Sequence, residues 1–172
     1  MPDQDIRFQL LQGWLEQCLP ALFTAEGWGP VPAAELTSAS SDASFRRYFR
    51  WQSGARTLIV MDAPPPQEDC RPFVKVAGML AEAGVHVPRI LASDVERGFL
   101  LLDDLGRQTW LEVLNADNAD ALFEQALQAL VTFQKLPVGG QLPPYDDALL
   151  RRELQLFPDW YLQRHLGVEL NA

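Results

Sequence analysis

The sequence predicts an α+β fold: an antiparallel sheet made of two hairpins with a helix between them, followed by a segment that is helical throughout. Three observations carry the prediction. Two stretches, "SFRRYFRWQSGARTLIVMDA" and "VPRILASDVERGFLLLDDLG", each hold two β-like runs around a glycine-bearing turn. The stretch between them repeats its apolar residues at helical spacing. From Thr109 onward the apolar period stays helical, with no further alternating run.

The elements follow in order. Ile6, Leu10, Trp14, Leu15, Cys18, Leu22 and Phe23 recur at the spacing of an amphipathic helix, with Pro20 as a point for a kink. "EGWGPVPA" breaks the pattern with glycine and proline. Ser38 to Ser44 then form a run of small and short polar residues, read as a pliable loop. "SFRRYFRW" alternates: Phe45, Arg47, Phe49 and Trp51 share one face, and Ser44, Arg46, Tyr48 and Arg50 the other. "RTLIVMDA" is apolar on both faces, as a central strand requires. "PPPQEDC" stops the sheet. Asp69 is placed to cap a helix with Pro72 in its first turn. Phe73, Val76, Ala77, Leu80 and Ala81 make its buried face and Gly84 ends it. The second hairpin follows. Beyond it, Leu122 to Phe133 form a long amphipathic helix that ends before Pro137. "LPPYDDALLRRELQLFPDWYLQRHL" gives one or two more helices, interrupted near Pro158.

Composition narrows the class. A chain of 172 residues that is 48% hydrophobic can bury a core, and its net charge of −9 argues against a non-specific binder of nucleic acid or anionic membrane. Cys18 and Cys70 have neither disulfide-framework nor metal-ligand spacing. No apolar run approaches a membrane span, and the first residues show no signal peptide, so a cytoplasmic location is expected. There are no internal repeats.

Two stretches carry candidate chemistry. A loop of small residues between antiparallel strands leaves backbone N–H groups free to point at an anion such as phosphate, and nearby arginines can neutralise remaining charge. The same stretch can also be a solvated hairpin tip, with Arg46 and Arg50 on a wet face. Arg47, set among Phe45, Phe49 and Trp51, is the stronger functional candidate, because an arginine among aromatics needs stacking or an anionic partner. In "FLLLDDLG" an apolar strand exits into Asp103 and Asp104. One carbonyl and one N–H from such an exit can serve a purine edge, or the acids can simply form a turn between lobes. His86 and His165 lack ligand-spaced partners. Trp110, Trp160 and Tyr161 can stack on a sugar or fill a core.

Together these segments resemble the aminoglycoside phosphotransferase family, small-molecule kinases with a protein-kinase-like fold, and within it the bacterial kinases of N-acetylated amino sugars. The match runs from "TSASSDASFRRYFRW" through "RTLIVMDAPPPQEDCRPFVKVAGMLAEAGVHVPRILASD" and "GFLLLDDLG" to "LPPYDDALLRRELQLFPDWYLQRHLG". The resemblance implies an N-terminal antiparallel-sheet lobe plus the first helices of a helical C-terminal lobe. The expected divisions are a helical segment over 1–30, a nucleotide-binding lobe over 31–106, and the start of the C-terminal lobe over 107–172.

It further implies a set of nucleotide-binding residues. Ser40, Ser41, Asp42, Ala43 and Ser44 stand in the phosphate-covering loop. Asp103 and Leu105 are where hinge backbone meets adenine, and Leu102 holds the gatekeeper place. Met61 stands where relatives carry a phosphate-binding lysine or arginine, and Phe73 about where a helix glutamate would pair with it. With that pair missing, Arg47 or Arg46 is the expected replacement charge. No His-x-Asp loop with its downstream Asn and Asp occurs, so no catalytic residue or metal ligand is expected in this chain. A two-lobed kinase is expected to need on the order of 250 residues or more. The chain is therefore read as the N-terminal half of a kinase, inactive alone and lacking its C-terminal half.

The implied function is transfer of the γ-phosphoryl of ATP, with Mg²⁺, to the anomeric hydroxyl of N-acetylmuramate or N-acetylglucosamine in cell-wall recycling. Another small alcohol, such as an aminoglycoside or choline, or a non-catalytic binding module are the alternatives.

Overall fold

The computed structural model describes residues 2–41, 44–137 and 139–169. The chain divides into two compact units, Met1–Leu136 and Pro137–Ala172. The first holds helix α1 (Pro2–Ala25), strands β1 (Glu35–Ser41), β2 (Arg47–Ser53) and β3 (Arg56–Asp62), helix α2 (Arg71–Glu82), strands β4 (Ile90–Asp94) and β5 (Phe99–Asp103), and helices α3 (Trp110–Val113) and α4 (Ala119–Gln134). The strands form one antiparallel sheet in the order β1-β2-β3-β5-β4, an α+β arrangement with the doubly apolar β3 at its centre.

Each face of the sheet has its own cover. Leu11, Trp14, Leu15, Leu19, Leu22 and Phe23 of α1 share a core with Trp51, Leu58, Val60, Phe99 and Leu101. On the opposite face Met61, Ala63, Cys70, Leu100 and Leu102 pack with Phe73 and Val74 of α2. The sequence reading placed one covering helix on the sheet; the structure has two, because β3 and β5 are apolar on both sides and each side needs an apolar partner.

A second difference lies at β1. Ser38 to Ser41, read as loop, belong to a strand that pairs with β2 through a register shift between Ser38 and Ser40. Small polar residues have little intrinsic strand preference, but the edge of β2 offers unpaired backbone groups and pairing satisfies them. At α2, Cys70 rather than Asp69 is the cap residue; the Asp69 carboxylate accepts the Arg71 N–H at 2.9 Å from one position earlier. Gly98, at φ 74°, lets the β4–β5 turn lie against the chain beyond β3. Its carbonyl accepts the Ala63 N–H at 2.8 Å, and a Cβ there would meet the Ala63 carbonyl at 1.9 Å.

In the second unit, α5 (Asp147–Leu156) is capped by Asp146, whose carboxylate accepts the Leu149 N–H at 2.8 Å. It passes directly into a π-helix over Phe157–His165. Pro158 sits at the change; it has no N–H for the α-ladder and its ring crowds the carbonyl four residues back, which accounts for the switch.

The sheet also buries one carboxylate completely. Asp62, at the end of β3 on the α1 face, is 0% exposed. It accepts Arg7 Nε of α1 at 2.7 Å and Arg47 Nε of β2 at 2.9 Å, so it ties helix, strand and neighbouring strand together. Asp62→Ala leaves two arginines without their shared anion and is expected to lower stability by about 3 kcal/mol. Asp69→Ala, which removes an exposed pair with Arg71, is expected to cost much less. Equilibrium urea unfolding of the two variants checks the difference.

Candidate functional site

An open cleft of about 440 Å³ lies on the α2 face of the sheet, beside the exit of β5. Tyr48, Ile59, Phe73 and Leu102 give it apolar surface, and residues 103–107 form its rim. The strand pleat decides what reaches it. Tyr48 and Arg50 of β2 line the cleft, directly opposite Met61 and Ile59 of β3 in the register. Residues 47, 49 and 51 point the other way, towards α1.

At the rim, backbone geometry is held by charge. Arg50 donates to both carboxylate oxygens of Asp104, from Nε at 2.6 Å and Nη2 at 3.2 Å, and Nη2 also donates to the Gly106 carbonyl at 3.2 Å. The Asp104 carboxylate accepts the Gly106 N–H at 2.9 Å, while Gly106 adopts φ 105°, a conformation suited to glycine. Upstream, the Asp103 N–H donates to the Arg89 carbonyl at 3.0 Å and its carboxylate accepts the Arg89 N–H at 2.7 Å. Between these two fastened points, the Leu105 backbone makes no hydrogen bond among the described residues. The rim thus offers a donor and an acceptor next to an apolar slot.

The pair that fastens the rim is itself buried: Arg50 is 8% exposed. Its hydrogen bonds to Asp104 keep the guanidinium pKa above its ordinary value, and Arg50 in turn holds the Asp104 carboxyl below the usual 3.8. A wet face for Arg50, the bland reading of this strand, does not hold.

Charge also holds the residues just before β2. The Phe45 N–H donates to Glu68 Oε1 at 3.2 Å and Arg46 Nε donates to Glu68 Oε2 at 3.1 Å. The Arg46 N–H donates to Ser44 Oγ at 3.1 Å. Partial burial works against the Arg46 charge, but hydrogen bonds with Tyr48 and Glu68 outweigh it and hold the pKa above the ordinary value.

The residues singled out by sequence separate as follows. Leu102, Asp103 and Leu105 meet at the rim of the cleft. Ser40 and Ser41 lie in β1; their side chains, and Asp42 and Ala43 altogether, lie outside the described residues. Met61 is fully buried within the α2-face cluster rather than at the cleft surface. Arg47 is not on the cleft face: it pairs with Asp62 and lies 5.6 Å over the Phe49 ring on the α1 side. The physical reason is the cover. α1 packs on the face that carries Phe49 and Trp51, so the residue sharing that face with them is turned from the cleft. Trp110 packs edge-on against Phe123 at 6.1 Å, Arg164 lies 4.2 Å over Trp160, and His165 stacks on Tyr161 at 5.5 Å.

Arg50, Asp104 as its partner, Tyr48 and Glu68 were missed as a working set. The alternation of β2 puts Arg50 beside Tyr48, but nothing in the sequence links it to a carboxylate 54 positions away. Among the described residues no group of three or more His, Cys, Asp or Glu could hold a metal ion.

The depressed Asp104 carboxyl makes a pH prediction. A carboxylate whose folded pKa is lowered adds stability that is fully present above its unfolded value near 3.8 and is lost as pH falls through the lower folded value. Asp104→Asn is expected to melt lower than wild type at neutral pH, with the gap closing as pH falls below 3.8. Thermal melts of both proteins across that range check it.

Residues 35–172 match the model of the phosphotransferase enzyme family. Over 168 residues the chain is 76% identical to a protein of Pseudomonas aeruginosa named N-acetylmuramate/N-acetylglucosamine kinase, and 61% identical to one of the same name from Pseudomonas putida; each match covers 98% of this chain and 50% of the relative. A Neisseria meningitidis protein of that name is 39% identical over 141 residues, 79% of this chain and 42% of its own. The chain spans about half the length of the curated relatives it matches. On the family match, which spans most of its length, the chain belongs to the phosphotransferase enzyme family.

Proposed function

We propose that this chain is the nucleotide-binding part of an ATP-dependent sugar kinase, which transfers the γ-phosphoryl of ATP to the anomeric hydroxyl of N-acetylmuramate or N-acetylglucosamine. The observation that carries the reading is the rim of the cleft. The Leu105 backbone, free of internal hydrogen bonds and fastened on either side, stands beside an apolar slot bounded by Ile59 and Leu102. A purine edge needs that combination: a flat apolar slot and a paired donor and acceptor. The names of the relatives support the sugar substrate.

In this reading Leu102 stands at the back of the adenine slot, Asp103 and Leu105 supply backbone to the purine, and residues 40–44 cover the phosphates. The nucleotide lobe runs to residue 106 and the helical lobe starts at 107. Mg²⁺ enters as the counter-ion of the nucleotide, with no ligand set among the described residues. The general base belongs to sequence this chain does not contain. Binding, orienting and excluding water from the nucleotide are the tasks left to these residues, and in phosphoryl transfer positioning and charge stabilisation do most of the work. No described helix is long and apolar enough to cross a membrane. A cytoplasmic location, where ATP is abundant, belongs to the same proposal.

Two measurements test it. Calorimetric titration should show that the chain binds a non-hydrolysable ATP analogue, and that Leu105→Pro, which deletes the N–H, weakens binding about tenfold with little change in melting temperature. For activity, the chain alone should show no phosphorylation of N-acetylmuramate above a buffer blank. The same chain joined to the C-terminal half of the Pseudomonas aeruginosa relative should turn over. Turnover by the chain alone, or no nucleotide binding by either protein, would overturn the reading.

A further inference from the structure

We infer that Arg46 and Glu68 form the phosphate clamp of this nucleotide site, with Arg46 as the binding cation and Glu68 as the residue that positions it. The inference rests on the nucleotide reading of the cleft, and it assigns the charge that the strand itself lacks.

The place on β3 from which a cation would reach into the cleft is held by Met61, fully buried. An anion of several charges needs a cation somewhere on this face. Arg50 is committed to Asp104 at both carboxylate oxygens and to Gly106. Arg107 donates to the Gln52 side chain at 2.9 Å, near the opposite end of β2. Arg46 is different. Tyr48 stands directly across from Met61, and Arg46, just before β2, hydrogen-bonds with the Tyr48 side chain and so reaches the same side of the sheet.

Its fastening suits the task. Glu68 takes Nε and Tyr48 a further hydrogen bond, so the guanidinium plane is set while the remaining donors of its fork can meet further acceptors. The same carboxylate takes the Phe45 N–H, so one residue orients both the cation and the end of the loop. Glu68 sits in the connection before α2, where Phe73 gives the helix's cleft side an apolar residue instead of an acid. A carboxylate that orients a phosphate-binding cation is thus supplied from ahead of the helix. Arg46 is only partly buried, its side chain 30% exposed, as a group that must meet a ligand should be.

The test compares two ligands on the full chain: a non-hydrolysable ATP analogue with Mg²⁺, and adenosine. The ratio of their affinities isolates the phosphate contribution from the adenine contribution. Arg46→Ala is expected to lower the ratio about ten- to hundredfold while adenosine binding stays unchanged, and Arg46→Lys to restore part of it. Glu68→Ala is expected to lower the ratio about tenfold, and the double variant to fall no further than Arg46→Ala alone, because the two act as one unit. Arg71→Ala removes an exposed arginine at the start of α2 and serves as the charge control, with no change in the ratio expected. An unchanged ratio in Arg46→Ala, or additive losses in the double variant, overturns the clamp while leaving adenine binding intact. Wild type that binds neither ligand overturns the nucleotide reading with it. Should Arg46→Ala melt early, Arg46→Gln gives the same readout with the side-chain bulk kept.

Discussion

The two-residue pleat of β2, set between two different helical covers, is the constraint on which the rest of the structure depends. Odd positions face α1 and even positions face the cleft. Phe49 and Trp51 therefore enter the core with α1, and Arg47, on the same side, is delivered to the buried Asp62. Tyr48 and Arg50 are delivered to the other side, and Arg46, just before β2, joins them through its hydrogen bond with Tyr48. A slip of one residue would exchange the two sets, placing aromatic rings in the cleft and unpaired arginines under α1. Asp62 opposes such a slip, because a fully buried carboxylate held by two guanidinium groups has no equivalent partner in the alternative register.

The charged pairs divide between stability and shape. Asp62 joins elements that already share an apolar core, and its loss is felt as lost stability. Arg50 and Asp104 join a strand to an irregular segment that has little else to define it. Ion pairs of this kind contribute less to net stability than their geometry suggests, because desolvation offsets much of the attraction. Their return is a single backbone conformation at Gly106 and Leu105, beside the apolar slot. Glu68 does comparable work just before β2, fastening the Phe45 N–H and the Arg46 guanidinium.

Much of this was legible in the sequence. Period-2 runs and turn glycines marked β2 to β5, helical spacing marked α1, α2 and α4, and Pro158 marked the break in the last helix. The strand exit at Asp103 and Leu105 was visible as an apolar run ending in a polar turn. β1 was hidden because only Leu36 gives it an apolar face; its pairing comes from the edge of β2, not from its own residues. Arg47 was misplaced for a related reason. Alternation tells which residues share a face, but not which face the first helix will take. The Arg50–Asp104 pair was invisible because an ion pair across 54 positions leaves no local pattern, and Glu68 lies in a proline-rich connection that reads as loop.

The central claim is that Arg46, held by Glu68 just before β2, meets the nucleotide while the pleat of β2 turns Arg47 away from it. The most direct measurement is NMR of the arginine Nε–H groups in the ¹⁵N-labelled chain during titration with a non-hydrolysable ATP analogue and Mg²⁺. The account predicts that the Arg46 resonance shifts with the analogue but not with adenosine, while Arg47 and Arg7 stay in place on Asp62. A shift of Arg47 with Arg46 unmoved would contradict it.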